Sequence, residues 1–470
     1  MTIGTLPDNV LLEIFELYLG KDYFYHIIYG HNYDGWQTLA HVCHRWRCVV
    51  LASPRRLDLK LYCTPQRSEK LDIWPELPIV MDARDIHSEE HVPNISVALR
   101  HHNRVCKIRC LNEDFLWKEF AAIDKPFPAL TCLRLYSFRP NVPVLPDSFL
   151  GGSAPLLRSL YLDGIPYPSI GNLLSSTTNL VELSLLGIPH PGYVSPETIV
   201  PILSTLFRLN SLELGFRYPR SRDHRANRHP PPLTRLIFPS LTYLHFHGDI
   251  EYLEDVLSQI ETPILIQCDF WFFNQLVFDT PQLWHFISRT EIVMTAHTAR
   301  VRFNNRDVEI ILWGHKEMYY SDDELLELHI ACKPLDWQLS AVAQVLNSLL
   351  SSLSTLESLE IAVDRVGWQG EIEATQWLEV LHSFTFVKDM TLVWEDSVWL
   401  VAPALQELAR ERPTEVLPTL QTLFLPTHGW ESSRPAVEAI AQFIATRQLH
   451  GHPVTVDLWD AQSEDAQNEE

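Results

Sequence analysis

The pattern apolar-x-x-apolar-x-apolar returns along most of this chain and leaves few folds open to it. Clear copies are "LTCLRL" (130–135), "LRSLYL" (157–162), "LVELSL" (180–185), "LNSLEL" (209–214), "LTYLHF" (241–246), "LLELHI" (325–330), "LESLEI" (356–361) and "LQTLFL" (420–425). Looser copies are "VCKIRC" (105–110), "LIQCDF" (265–270) and "VKDMTL" (387–392), with "TEIVM" (290–294) as a further candidate. A short strand with two inward apolar side chains cannot bury them alone; stacked neighbours give them one continuous core. The central residues recur every 23 to 36 positions, a loose form of the about 20–29-residue period of strand-and-helix repeats.

Helix-like runs lie between the copies, at 196–207, 251–260, 338–353, 373–384 and 435–449. The expected fold class is therefore α/β: an irregular horseshoe solenoid with parallel strands inside and helices outside. Residues 299–314 read as a hairpin, because Asn304, Asn305 and Arg306 separate two alternating runs. Ahead of the array, "LPDNVLLEIFELYL" (6–19) reads as a helix opened by Pro7 and Asp8. It is apolar on two sides: Leu11, Ile14, Phe15 and Tyr18 make one stripe, Val10, Ile14 and Leu17 another. Residues 20–35 read as a loop and 36–53 as one second helix ended by Pro54. The expected organisation is a helical unit at 1–62, a connector at 63–100, the array at 101–460 and an acidic tail at 461–470.

Side chains alternate across a strand, so the residues between the last two apolar positions share the concave face. They are Arg134, Tyr161, Ser184, Glu213, His245, His329, Glu360, Thr391 and Phe424. This mixture suits a protein-binding surface. The loop 217–232 carries five arginines, a pattern able to grip phosphate or acidic segments and equally a solvated loop.

A net charge of −22 argues against a general nucleic-acid surface. No apolar run reaches about 18 residues, so no membrane span is expected. The eight cysteines form no CxxC pair, and Asp8 and Glu13 interrupt any secretory pattern, so reduced thiols in the cytoplasm or nucleus are expected. His41 and His44 flank Cys43, and "HFH" (245–247) and "HGH" (450–452) occur, but no second ligand pair accompanies any of them in the sequence. No nucleophile elbow, phosphate loop or dinucleotide fingerprint is present. The expectation is a protein that is not an enzyme, with no catalytic residue, metal or cofactor.

"LPDNVLLEIFELYL" followed by "LAHVCHRWRCVVLASPRRL" (39–57) resembles an F-box: a Leu-Pro start, an amphipathic helix ending in Tyr-Leu, then a Val-Cys-x-x-Trp helix. The remainder is similar to fungal F-box proteins with degenerate leucine-rich repeats. Its turns depart from the consensus, with Ile165 and Ile188 or Gly and Pro where Asn or Cys is usual. The resemblance implies a substrate-recognition subunit of an SCF-type cullin-RING ubiquitin ligase. Leu6, Pro7, Ile14, Leu17, Val42 and Trp46 would dock on the Skp-family linker, and through it on the cullin and RING subunits. Trp46 could equally belong to the core of the helical unit. The concave face would hold a protein substrate. The alternative is a leucine-rich-repeat scaffold that binds partners without degrading them.

Overall fold

The computed structural model describes residues 6–29, 35–64, 71, 74–84, 90, 92–111, 119, 123–139, 142–219, 234–274, 278, 280–290, 292, 295–314, 324–332, 335–349, 355–364, 374–411 and 415–459. The chain is mixed α/β with mostly parallel strand pairing. It divides into two compact units, one of residues 1–183 with 191–193, the other of 184–190 with 194–470. Among the described residues, no helix is long and apolar enough to cross a membrane. Residues 220–232 of the arginine loop and the tail 461–470 lie outside the described residues.

The first unit opens with α1 (Asp8–Tyr29), α2 (Gly35–Val42) and α3 (His44–Ala52). α1 packs on both of the others, and Leu11, Phe15, Trp36, Leu39, Ala40, Val49 and Val50 are buried. Two expectations are corrected here. The stretch 20–35 is not a loop throughout, since α1 continues to Tyr29. The run 36–53 is two helices, because Cys43 is extended (φ −160°, ψ 169°) and caps α3, its Sγ accepting from Trp46 N at 3.5 Å. The break turns Val42 and Cys43 outward while Val49 and Val50 stay inside.

The sheet of this unit begins earlier than the repeat pattern suggests. β1 (Leu61–Cys63), β2 (Ile79–Ala83), β3 (Val105–Leu111), β4 (Cys132–Tyr136) and β5 (Ser159–Asp163) lie side by side in chain order, all parallel. The connector thus supplies β2 and α4 (Val92–Arg100), which packs on β1 and β2. Leu133, Leu135, Leu160 and Leu162 are buried, while Arg134 and Tyr161 between them are half-buried. α5 (Ile170–Leu174) follows. Gly151 sits at φ +59°, where a Cβ would come within 2.7 Å of Pro126 N, so glycine is required there.

The second unit contains most of β6 (Glu182–Ile188), then α6 (Pro196–Leu203), β7 (Ser211–Phe216), β8 (Leu236–Ile237), β9 (Tyr243–Gly248), α7 (Ile250–Gln259), β10 (Ile260–Glu261) and β11 (Gln267–Phe272). After these come α8 (Pro281–Ile287), β12 (Thr298–Phe303), β13 (Asp307–Trp313), β14 (Glu324–Ala331), α9 (Leu335–Leu349), β15 (Ser358–Val363) and α10 (Ala374–Leu381). The chain ends with β16 (Asp389–Leu392), α11 (Glu395–Glu411), β17 (Thr422–Pro426), α12 (Arg434–Leu449) and β18 (Thr455–Trp459). β8 and β10 form a small sheet of their own. Each helix-like run expected from the sequence holds a helix among its described residues, and each written-out repeat copy lies on a strand except "TEIVM". Its described residues Thr290 and Ile292 are not strand; Ile292 is buried in helical backbone.

Strand order in this unit is β6-β7-β9-β11-β14-β13-β12-β15-β16-β17-β18. The three strands β12 to β14 therefore enter the sheet in reverse. β12 and β13 form the expected antiparallel hairpin, with Asn304 Oδ1 accepting from the backbone N–H of Arg306 and Asp307 at 2.8 and 3.0 Å. β14 then folds back antiparallel on β13 and runs parallel to β11, while β12 runs parallel to β15. The reversal places one strand, β13, antiparallel to both its neighbours in an otherwise parallel ladder.

Candidate functional site

On α1 the first of the two expected stripes is split. Leu11 and Phe15 are fully buried, whereas Ile14, Leu17 and Tyr18 are 42%, 66% and 44% exposed. Val42, at the end of α2, is 56% exposed. Pro7 is exposed, and Leu6 and Trp46 are half-buried. Trp46 belongs partly to the core, its ring lying 4.8 Å from that of Phe15. Arg45 ties α3 to the start of α1: its guanidinium donates to Leu6 O at 2.5 Å and to Asp8 Oδ1 at 2.6 Å. Arg56 pairs with Glu16 at 2.5 Å, which holds the Glu16 carboxyl below its ordinary range through the hydrogen bond from that guanidinium. These ion pairs fix the polar side of α1 and leave its outward apolar residues uncovered. A contiguous exposed apolar surface on a helical unit marks a place for a partner.

The sheet face of the second unit is organised as rows. One row runs Glu213, His245, Asp269, Glu327, Ile311, Arg300, Glu360, Thr391, Phe424 and Asp457, each level with the next. Ser184 reaches it by donating to Glu213 Oε2 at 2.8 Å. In the first unit, Arg134 and Tyr161 share a row with Arg109, and the Tyr161 ring lies 4.8 Å from that of Tyr136. The registers thus set Glu213, His245, Glu360, Thr391 and Phe424 in one row of the second unit, and Arg134 and Tyr161 in one row of the first.

His329 is the exception. The repeat frame would set it level with His245, but Glu327 stands there, and His329 is level with Trp271 and Glu309. The slip is of two residues, so the side chain keeps its face while changing its row. Four of these positions are also less open than a concave surface suggests. Ser184, Glu360 and Thr391 are buried, and so is His329 in its neighbouring row. Arg300 donates to Glu360 Oε2 at 2.8 Å and lies over the Trp313 ring at 4.9 Å.

The charges converge around β9, β11, β13 and β14. His245 Nδ1 is 2.7 Å from Asp269 Oδ2, and His329 Nε2 is 2.5 Å from Glu327 Oε1. The Trp271 and His329 rings stack at 3.7 Å. Arg302 Nη1 stands 3.7 Å from Glu309 Oε2. Burial raises the Glu324 carboxyl, and Glu327 and Asp269 beside it raise it further. Burial and the same acids, with Glu213, push the Tyr243 phenol far up. Burial works against a charge on His329, yet the hydrogen bond to Glu327 and nearby carboxylates outweigh it and raise its imidazole above the ordinary value. The local field is thus strongly negative. Two donor sets gather within 4.8 Å, Asp269 with Glu327 and His329, and Asp307 with Glu309 and His329. The pairs singled out in the sequence, His41 with His44 and His245 with His247, belong to neither.

Asp269, Glu309, Glu327, Trp271, Arg300 and Arg302 were not singled out by the sequence reading. Alternating charges at 300, 302, 307 and 309 announce a polar face for the hairpin. Nothing local announces which strand that face meets. No protein-family model matches this chain, and no curated protein matches it.

Proposed function

We propose that this chain is the substrate-recognition subunit of an SCF-type cullin-RING ubiquitin ligase, and not itself an enzyme. In this reading the helices α1 to α3 are an F-box that docks on the Skp-family linker, and the strand-and-helix array is a leucine-rich-repeat solenoid that holds a protein target. The observation that carries it is the division of α1: Leu11 and Phe15 complete the core, while Ile14, Leu17 and Tyr18 remain outside, together with Val42. A helix so divided suits helix-in-groove recognition. Fully covering one valine, leucine or isoleucine contributes about 1.5–3 kcal/mol, and Ile14, Leu17 and Val42, each part-covered already, would add a share of that to the contact. Leu6, Pro7 and Trp46 would complete the docking surface.

The mechanism is proximity. The helices α1 to α3 fix the protein on the ligase; strand residues of the first unit, Arg134 and Tyr161, and of the second, Glu213, His245, His329, Glu360 and Phe424, retain the target. Tethering raises the effective concentration of target lysines near the charged ubiquitin carrier without chemistry by this chain. The test is affinity purification from cells with and without proteasome inhibition. Capture of a Skp-family linker, with further partners that accumulate only under inhibition, supports the receptor role. A partner set unchanged by inhibition points instead to a non-degradative scaffold, and absence of the linker defeats both.

A further inference from the structure

The reversed order of β12 to β14 has brought three donors together on one face. Asp307 and Glu309 are two apart on β13 and project to the same side; His329 on β14 is level with Glu309. His329 is 5% exposed, and its two ring nitrogens face different carboxylates. Nε2 lies at hydrogen-bond distance, 2.5 Å, from Glu327 Oε1. Nδ1 is buried without a hydrogen-bond partner and faces Glu309 Oε1 at 3.8 Å. That separation is too long for a hydrogen bond. It does match the span of two donors that each stand about 2.0–2.2 Å from one ion.

We propose that His329 Nδ1, Glu309 and Asp307 form a binding site for a divalent first-row transition-metal ion. An imidazole that gives its Nε2–H to a carboxylate presents a lone pair at Nδ1, the arrangement found behind metal-bound histidines. Glu327 is that carboxylate here, and Trp271 stacked on the ring fixes its plane. Arg302 faces the other oxygen of Glu309, leaving Oε1 turned to His329. Asn304 Nδ2 donates to Asp307 Oδ1 and so anchors the third donor at the hairpin turn. One nitrogen and two carboxylate donors favour zinc, cobalt or manganese over magnesium or calcium, which prefer oxygen alone. The Nε2 side of the ring does not serve, because 2.5 Å leaves no room for an ion between its donors. The site is independent of the receptor reading and stands or falls without it.

The test is calorimetric titration of full-length, chelator-treated protein with zinc chloride, and separately with magnesium chloride. The expected result is one strong zinc site per chain and no comparable magnesium site. Glu309→Gln and Asp307→Asn should each weaken zinc binding about tenfold or more, and His247→Gln should leave it unchanged. His329→Gln should abolish it; because that side chain is buried, its circular dichroism is compared with wild type, and Asp307→Asn carries the result if it misfolds. Zinc binding that is equal in wild type, Glu309→Gln and Asp307→Asn is binding by surface histidines and overturns the assignment. So does the absence of zinc binding to the wild-type chain.

Discussion

Phe15 on α1 and Trp46 on α3 meet with ring centroids 4.8 Å apart and planes tilted by 60°. Phe15 is fully buried, and Leu17, two residues on, is 66% exposed. One helix therefore serves a core with one side and leaves the adjacent side to solvent. Phe15→Ala should cost about 3–5 kcal/mol in the helical unit, the usual consequence of emptying a buried aromatic site. Leu17→Ala should cost little. Amide hydrogen exchange across residues 8–52 of the full chain reads the difference: protection falls in the first variant and is retained in the second.

Cys43 caps α3 with a sulfur, a weak acceptor, at 3.5 Å from Trp46 N. A hydroxyl at the same place accepts better, and serine is among the favoured N-cap residues. Cys43→Ser should stabilise α3 by about 0.5–1 kcal/mol. Exchange of the first-turn amides of α3 should slow accordingly, and faster exchange would contradict the cap.

Leu417 adopts φ +48°, a left-handed conformation that disfavours a branched side chain. Arg447 on α12, fully buried, donates to Leu417 O at 3.1 Å and to Leu420 O at 3.4 Å, across the turn that leads into β17. Burial lowers the guanidinium pKa from its ordinary value. Arg447→Met fills similar space but strips these carbonyls of their donor, and should lower stability by about 1–3 kcal/mol. Urea unfolding of the full chain is the measurement, and the midpoint should fall without a change in slope.

His247 lies with its ring 4.8 Å from Phe273 and 6.4 Å from Trp271. Burial lowers its pKa, His245 adds to the lowering, and Asp269 opposes it. The unfolded chain therefore takes up the proton first as pH falls below the ordinary 6.5. Its contribution to stability is present above that pH and is lost on acidification through the folded value. His247→Gln should flatten the pH dependence of the unfolding midpoint as pH falls below about 6.5. An unchanged slope would contradict the assignment.

The strands were legible because each repeat copy states its own period: "LTYLHF" buries Leu241, Leu244 and Phe246 and turns His245 to the other face. The hairpin was legible for the same local reason, the asparagines at its turn. The order of β12 to β14 was not, since pairing between distant strands leaves no mark on either one. His329 shows the consequence. Its face follows from alternation, but its neighbours Trp271 and Glu309 follow from a reversal and a two-residue slip that no single strand encodes. The two stripes of α1 are visible in the sequence; that Leu11 and Phe15 turn inward while Ile14 and Tyr18 of the same stripe do not is set by the helices packed on α1, with Trp46 of α3 against Phe15. The apolar run 36–53 hides the break at Cys43, because its hydrophobic spacing continues across it.

The docking face is the central claim, and one measurement tests it most directly. Full-length protein is titrated with a purified Skp-family linker, as wild type and as Leu17→Glu, with Ile14→Glu as a second variant and circular dichroism as the check on folding. The expected result is a one-to-one complex for the wild type and a loss of about tenfold or more in affinity for each folded variant. A wild-type chain that does not bind the linker, or folded variants that bind it as tightly as the wild type, would contradict the claim.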